Sequence, residues 1–255
     1  MRAEALDSPA LQMLFARAYA GRPEARLRPE EMRKSLVLPG VLHEALRLLS
    51  PRGTPLVVDA ASGRAPFSLS LAAACDERGV RLIAIDRSAA VGDAALRAFA
   101  RLAPLASTLE ARTGDVGEAD LWPSEPDLVV SIHACGGASD LVIARAAAAR
   151  AKHILLMPCC VSSAVASAAR ADLAATALAF EGGLTRKRFR DVYTLNERRL
   201  VLEASGYKTD VVAVCAESAT PYNLALRAAR IGEPVRMERA RQALRALHAP
   251  TPSPG

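Results

Sequence analysis

Four apolar runs, each closed by small, acidic or nucleophilic residues, constrain this chain of 255 residues more than any other feature. Leu56-Val57-Val58-Asp59 leads into Ala60-Ala61-Ser62-Gly63, and Ile83-Ala84-Ile85 ends on Asp86. Further on come Ser131-Ile132-His133-Ala134-Cys135-Gly136-Gly137 and Leu155-Leu156-Met157-Pro158-Cys159-Cys160. Near-continuous apolar runs are what strands show when helices cover both faces of a parallel sheet. In an open α/β sheet, ligands bind outside the carboxyl ends of the strands. The four endings therefore predict one site lined by four strand ends.

Longer helical stretches separate these runs, the pattern of βαβ units. Strands are expected at 55–60, 81–86, 107–112, 127–133 and 152–158, with helices at 66–78, 88–102 and 139–150 between them. Residues 1–50 read as helical, a lid or extension. It holds one amphipathic helix from Ala10 to Tyr19, a helix start at Pro29-Glu30-Glu31-Met32, and a second amphipathic helix from Pro39 to Leu49. The α/β domain proper spans 51–232. After Cys160 the sequence predicts a small-residue helix from Val161 to Leu178, broken by Gly182-Gly183, and a helix around Leu195 to Ser205. Runs at 209–216 and 222–229, with Pro221 between them, are expected to pair as an antiparallel hairpin at a sheet edge. An Arg- and Pro-rich tail, 233–255, begins amphipathic and is expected to end in disorder.

Aromatic residues make up only 4% of the chain, which favours packed helices over a β-sandwich. The net charge of +6 permits a polyanionic partner such as RNA. Arginine greatly outnumbers lysine, so the charge also has a purely compositional reading. Five cysteines, no signal-peptide pattern and no long uncharged apolar run lead us to expect free thiols, no membrane span and a cytoplasmic location.

Asp59 to Ala65 sits where a strand turns into a helix. A glycine there, Gly63, lets backbone approach a ligand, and the helix start offers free N–H groups. The full dinucleotide fingerprint G-x-G-x-x-G is missing. Asp86 lies about 20 residues beyond the glycine turn, where an acid can accept both hydroxyls of a ribose. Asp115, in Thr113-Gly114-Asp115-Val116 past the third run, is placed to face an adenine. Helix capping at Asp86 or Ser88, and a plain turn acid at Asp115, are the competing readings.

This ordered set resembles the class I S-adenosyl-L-methionine (SAM)-dependent methyltransferases. The resemblance implies a doubly wound, mostly parallel, seven-stranded Rossmann-like sheet whose last strand is antiparallel. It implies SAM as cofactor, held by Asp59, Ala61, Gly63, Asp86, Asp115 and His133. The His133-Ala134-Cys135-Gly136 and Pro158-Cys159-Cys160 clusters, with the Thr220-Pro221-Tyr222-Asn223 corner, resemble one branch more closely. That branch includes a eukaryotic tRNA ribose 2′-O-methyltransferase and larger methyltransferase-like proteins. The resemblance covers roughly residues 34–230. The chain departs from it in carrying Ala61 and Ala65 where members keep glycine.

Several chemistries compete for these clusters. His133, Cys135, Cys159 and Cys160 are possible zinc ligands, but adjacent cysteines in a strand point in different directions. A zinc deaminase is excluded because Cys135 stands where the essential glutamate belongs. Cys135 as a nucleophile with His133 as base is a third reading. We favour the fourth: His133 and Cys135 line the transfer site, His133 as base, with no metal. Cys159 and Cys160, with Arg186, Arg188 and Arg190, are then expected on the substrate side, the arginines holding phosphates. The expected function is SAM-dependent methyl transfer, with tRNA or rRNA the expected acceptor. The alternatives are a small-molecule methyltransferase, a SAM-fold domain that binds RNA or a protein without catalysis, and a nicotinamide oxidoreductase.

Overall fold

The computed structural model describes residues 6–75, 77–132, 134, 136–158, 161 and 165–249. Seven strands form one sheet: β1 (Leu56–Ala60), β2 (Arg81–Asp86), β3 (Thr108–Thr113), β4 (Leu128–Ile132), β5 (His153–Met157), β6 (Tyr207–Ala213) and β7 (Leu224–Arg230). Their spatial order is β3-β2-β1-β4-β5-β7-β6. Strands β1 to β5 pair in parallel, while β7 runs antiparallel to both β5 and β6. The chain winds from β1 out to β3, then returns to start β4 on the other side of β1. A crevice is therefore expected where β1 and β4 diverge.

The sheet's alternation assigns its two faces. Val57, Leu82, Leu128, Val130, Leu155 and Met157 face one layer, and Val58, Ile83, Ile85, Val129, Ile154 and Leu156 face the other. On the first face lie α1 (Ser8–Ala20), α2 (Pro29–Leu48), α3 (Pro66–Ala74) and α4 (Ala89–Ala100). The second carries α5 (Ala138–Ala148) and α7 (Gly183–Ala204), with α6 (Ala166–Ala177) and α8 (Pro234–His248) packed on α7. The edge strand β3 keeps a mixed polar pattern because only partial cover reaches it.

The N-terminal helices share one core with the sheet. Leu11, Phe15, Val37, Leu38, Val41 and Leu42 are buried in the same cluster as Val57 and Phe67. The break expected at Pro39 does not occur, because α2 runs through it. Proline has no N–H to give the carbonyl of Ser35, a loss that ordinarily costs a helix about 3 kcal/mol. The buried apolar stripe on both sides of Pro39 holds the helix together. The next residue, Gly40, lies against the backbone of Val214, and a Cβ there would come within 1.6 Å of that carbonyl oxygen. The helix expected around Leu195 begins earlier, at Gly183, and takes in the basic run from Arg186 to Asp191. That run forms the first turns of α7, whose start is fixed by Gly182 at a φ of 80°.

Candidate active site

The turn after β1 is built from three left-handed residues. Ala61, Gly63 and Ala65 have φ values of 57°, 55° and 55°. Two of the three therefore adopt with a side chain the conformation that glycine takes freely, at about 1–2 kcal/mol each. A Cβ built at Gly63 meets nothing within 4 Å.

Two carboxylates bracket this turn, and they are held differently. Asp86 accepts the Gly63 N–H through Oδ2 at 2.9 Å and the Ser88 N–H through Oδ1 at 3.1 Å. It thus ties the end of β2 to the turn after β1. Asp59 is buried, 3% exposed, and receives the Ser68 hydroxyl at 2.7 Å. Burial pushes its pKa up to about 6, against the lowering pull of the Ser68 hydrogen bonds and Lys34, while Asp86 adds to the rise.

A cleft of about 580 Å³ opens here, of a size that small-molecule sites use. Asp59, Ala61, Ser62, Gly63 and Asp86 form its strand-end wall, joined by Ile132 at the end of β4. Val37, Leu38, Pro66 and Phe67 supply apolar lining, and Glu30, Arg33 and Lys34 of α2 a charged rim. The far side is Ala219 to Tyr222, the corner between β6 and β7. Lys34 Nζ sits 2.6 Å from Glu30 Oε1 and holds that carboxyl below its ordinary range.

The α1–α2 layer is clamped to the turn by a network that sequence reading missed. Glu31 binds Arg28 and Arg64, each at 2.7 Å. The Arg64 guanidinium lies 4.1 Å from the centre of the Tyr19 ring, and the Tyr19 hydroxyl donates to the Arg64 carbonyl at 3.2 Å. Burial raises the Tyr19 hydroxyl well above its ordinary range.

Other candidate residues lie elsewhere. Asp115 does not line the cleft. Its Oδ1 accepts the Gly117 N–H at 2.8 Å, so the acid closes its own turn. Arg190 is taken by Asp172 of α6 at 2.9 Å, and Arg186 donates to the Asp172 carbonyl and the Thr176 hydroxyl. Both tie α7 to α6 and neither borders the cleft. Arg188 points instead to the β6–β7 corner, where it donates to the Pro221 carbonyl at 3.2 Å. His133, Cys135, Cys159 and Cys160 lie outside the described residues. Among the described residues, no group of three or more His, Cys, Asp or Glu side chains is arranged for a metal ion, and no helix is long and apolar enough to cross a membrane.

A seven-stranded sheet ordered 3-2-1-4-5-7-6 with an antiparallel β7 is the class I methyltransferase fold. A family model described as a methyltransferase domain matches residues 38–166, and the chain belongs to that family. Among solved structures, it is similar to magnesium protoporphyrin IX methyltransferase from Synechocystis with bound SAH (S-adenosylhomocysteine). Identity is 16% over 86% of this chain and 93% of that one, with a TM-score of 0.54. The same enzyme with bound SAM matches at 15% identity over 89% and 99% of the two chains, with a TM-score of 0.50. A SAM-dependent methyltransferase from Aquifex aeolicus matches at 14% identity, covering 81% of this chain and all of its own, with a TM-score of 0.49. At these identities the likeness is one of fold. No curated protein matches the sequence.

Proposed function

We propose that this chain transfers a methyl group from SAM to RNA, with Asp59, Gly63 and Asp86 holding the cofactor. The observation that carries the reading is the convergence of these three residues on one cleft at the carboxyl ends of β1 and β2. The cofactor is S-adenosyl-L-methionine, and the residues present suit it. Open space faces Gly63, and a carboxylate at the end of β2 offers acceptor capacity for ribose hydroxyls. Buried apolar side chains, Phe67 and Leu38, line the same cleft. Asp59 and Lys34 supply one acid and one cation for the ammonium and carboxylate of the methionine end.

Bound SAM supplies an electrophilic methyl group, and the protein's task is positioning. Methyl transfer is an in-line displacement, so holding the acceptor atom opposite the sulfur provides much of the rate. A hydroxyl acceptor gives up its proton as the new bond forms. We assign His133, which follows the cleft residue Ile132 in the chain, as the base that takes it. The clamp of Glu31, Arg64 and Tyr19 keeps the wall formed by α2 against the turn.

RNA as acceptor is supported by the net charge of +6, by Arg33 and Lys34 at the rim of the cleft, by Arg188 beside the Pro221 corner and by the His-Ala-Cys-Gly and Pro-Cys-Cys resemblance. The test is transfer of a tritiated methyl group from SAM to total RNA, counted after acid precipitation. Label is expected in the tRNA or rRNA fraction and absent with His133→Ala. If SAH binds but no label enters RNA, the acceptor is not RNA.

A further inference from the structure

Arg198, in the middle of α7, is 2% exposed and does work that no local pattern explains. Its Nε donates to Asp140 Oδ1 at 2.7 Å, and its Nη2 to the Gly136 carbonyl at 2.9 Å. Its remaining nitrogen, Nη1, is buried with no hydrogen-bond partner among the described residues. A guanidinium has five N–H donors, and leaving charged donors buried and unmatched is costly. A site that keeps such a group is completed when something else brings acceptors to it.

Arg198 borders two cavities. One, of about 250 Å³, lies among α5, α6 and α7. The other, of about 90 Å³, is shared with Arg188, Asp191, Pro221 and Tyr222. Pro221 and Tyr222 also line the cofactor cleft, so this second cavity adjoins the place where an acceptor must lie. Its charges do not cancel. Asp140 answers Arg198, and Asp191 is answered by Lys187 at 3.2 Å. Lys187 in turn lies 4.5 Å from the centre of the Tyr222 ring and hydrogen-bonds its hydroxyl. Among the described residues, Arg188 has only the Pro221 carbonyl. A cationic recess of this size suits one oxyanion group rather than a whole substrate.

We propose that this recess is an oxyanion subsite for the methyl acceptor, in which Arg188 and Arg198 take one phosphate of the RNA. The proposal rests on the reading of the chain as an RNA methyltransferase. Arg198 has only Nη1 left to offer, for one phosphate oxygen, while the exposed Arg188 guanidinium can turn to others, so the two arginines of one helix fix the position of a strand without reading its bases. The corner at Pro221 and Tyr222 then serves both ligands: one side meets the cofactor, the other the phosphate.

The test is a titration of the full chain with inorganic phosphate at constant ionic strength. The readout is the arginine Nε–H resonances in nitrogen-15 spectra, assigned by their loss in R188Q and R198K. Saturable shifts of both resonances are expected, with Kd raised at least fivefold in R188Q and SAH affinity unchanged. Arg188 is exposed, so R188Q keeps the test valid even if R198K fails to fold. Resonances that do not move, or an equal Kd in native chain and R188Q, would overturn the subsite. Tighter saturation by acetate than by phosphate would overturn the phosphate assignment in favour of a carboxylate acceptor. Loss of SAH binding in the native chain would strike the methyltransferase reading alone, since the phosphate titration reads the recess independently.

Discussion

The two walls of the cleft are made in different ways. The strand-end wall is backbone geometry: three left-handed residues, a carboxylate on two amide N–H groups, and a buried acid. The opposite side is made of side chains: Arg33 and Lys34 of α2 stand at its charged rim, and Ala219 to Tyr222 form the corner between β6 and β7. The first wall is held by backbone hydrogen bonds to Asp86 and suits an invariant ligand. The second is held at its rim by the Lys34–Glu30 pair, which opens at little cost, because exposed pairs are worth at most about 1 kcal/mol. It suits a ligand that must enter, react and leave.

The contrast is broken most directly at Asp86. Asp86→Ala removes the acceptor at the end of β2 and leaves the Gly63 N–H without its partner. Hydrogen bonds to a charged group contribute about 1.5–3 kcal/mol each. Two to a ribose amount to roughly a 100-fold loss in affinity or more. Calorimetric titration with SAH should show that loss, and the melting temperature should fall as well, because the Gly63 and Ser88 N–H groups both lose their acceptor. A loss under about fivefold would mean that the backbone wall does not hold the cofactor.

Asp59 gives the next largest effect and one with a direction in pH. Its carboxyl is raised from 3.8 to about 6 by burial, so the folded state holds the proton more tightly than the unfolded chain. The contribution to stability is therefore fullest below pH 4 and is lost as pH rises through 6. Asp59→Asn removes this dependence while keeping an acceptor for the Ser68 hydroxyl. The variant should match the native chain near pH 4. It should exceed it at pH 7 by on the order of 3 kcal/mol, at about 1.4 kcal/mol per pKa unit. SAH affinity should fall at the same time if Asp59 meets the ammonium of the cofactor. Urea melts at both pH values separate the two effects. Equal stability of both chains at pH 7 would show that the buried acid carries no strain.

The backbone wall was the legible one. Continuous apolar runs ending in Asp59 and Asp86 announce strands and their open ends, and the expected 81–86 coincides with β2. The helical wall was obscured because its reasons are tertiary. Pro39 and the run from Arg186 to Asp191 both read as interruptions. The burial of Val37 and Val41 carries α2 through the first, and pairing with Asp172 makes the second part of α7. An acid after a strand looks the same in sequence whether it faces a ligand or closes its own turn, which is why Asp115 was expected in the cleft. Arg198 gave no signal at all, since its partner Asp140 lies 58 residues away. The Thr220 to Asn223 corner, noted only as a resemblance, is the junction of the two walls.

The smallest effect sharpens what keeps the backbone wall in shape. Ala61 and Ala65 have nearly the same left-handed φ, yet their surroundings differ. Ala61 is half-buried on the cleft, whereas Ala65 is fully buried against Ala84 and Ala95. Glycine at either position relieves about 1–2 kcal/mol of backbone strain and gives back about 0.5–1 kcal/mol as unfolded-state entropy. At Ala61 little else changes, so Ala61→Gly should stabilise the chain by about 0.5 kcal/mol and leave SAH affinity intact. At Ala65 the lost methyl removes about 0.8 kcal/mol of burial, which cancels the gain. Urea melts of the two variants should therefore separate, with Ala65→Gly near or below the native chain. Equal stabilisation by both would mean that φ strain alone decides. The packing of α4 against the turn would then play no part in holding it.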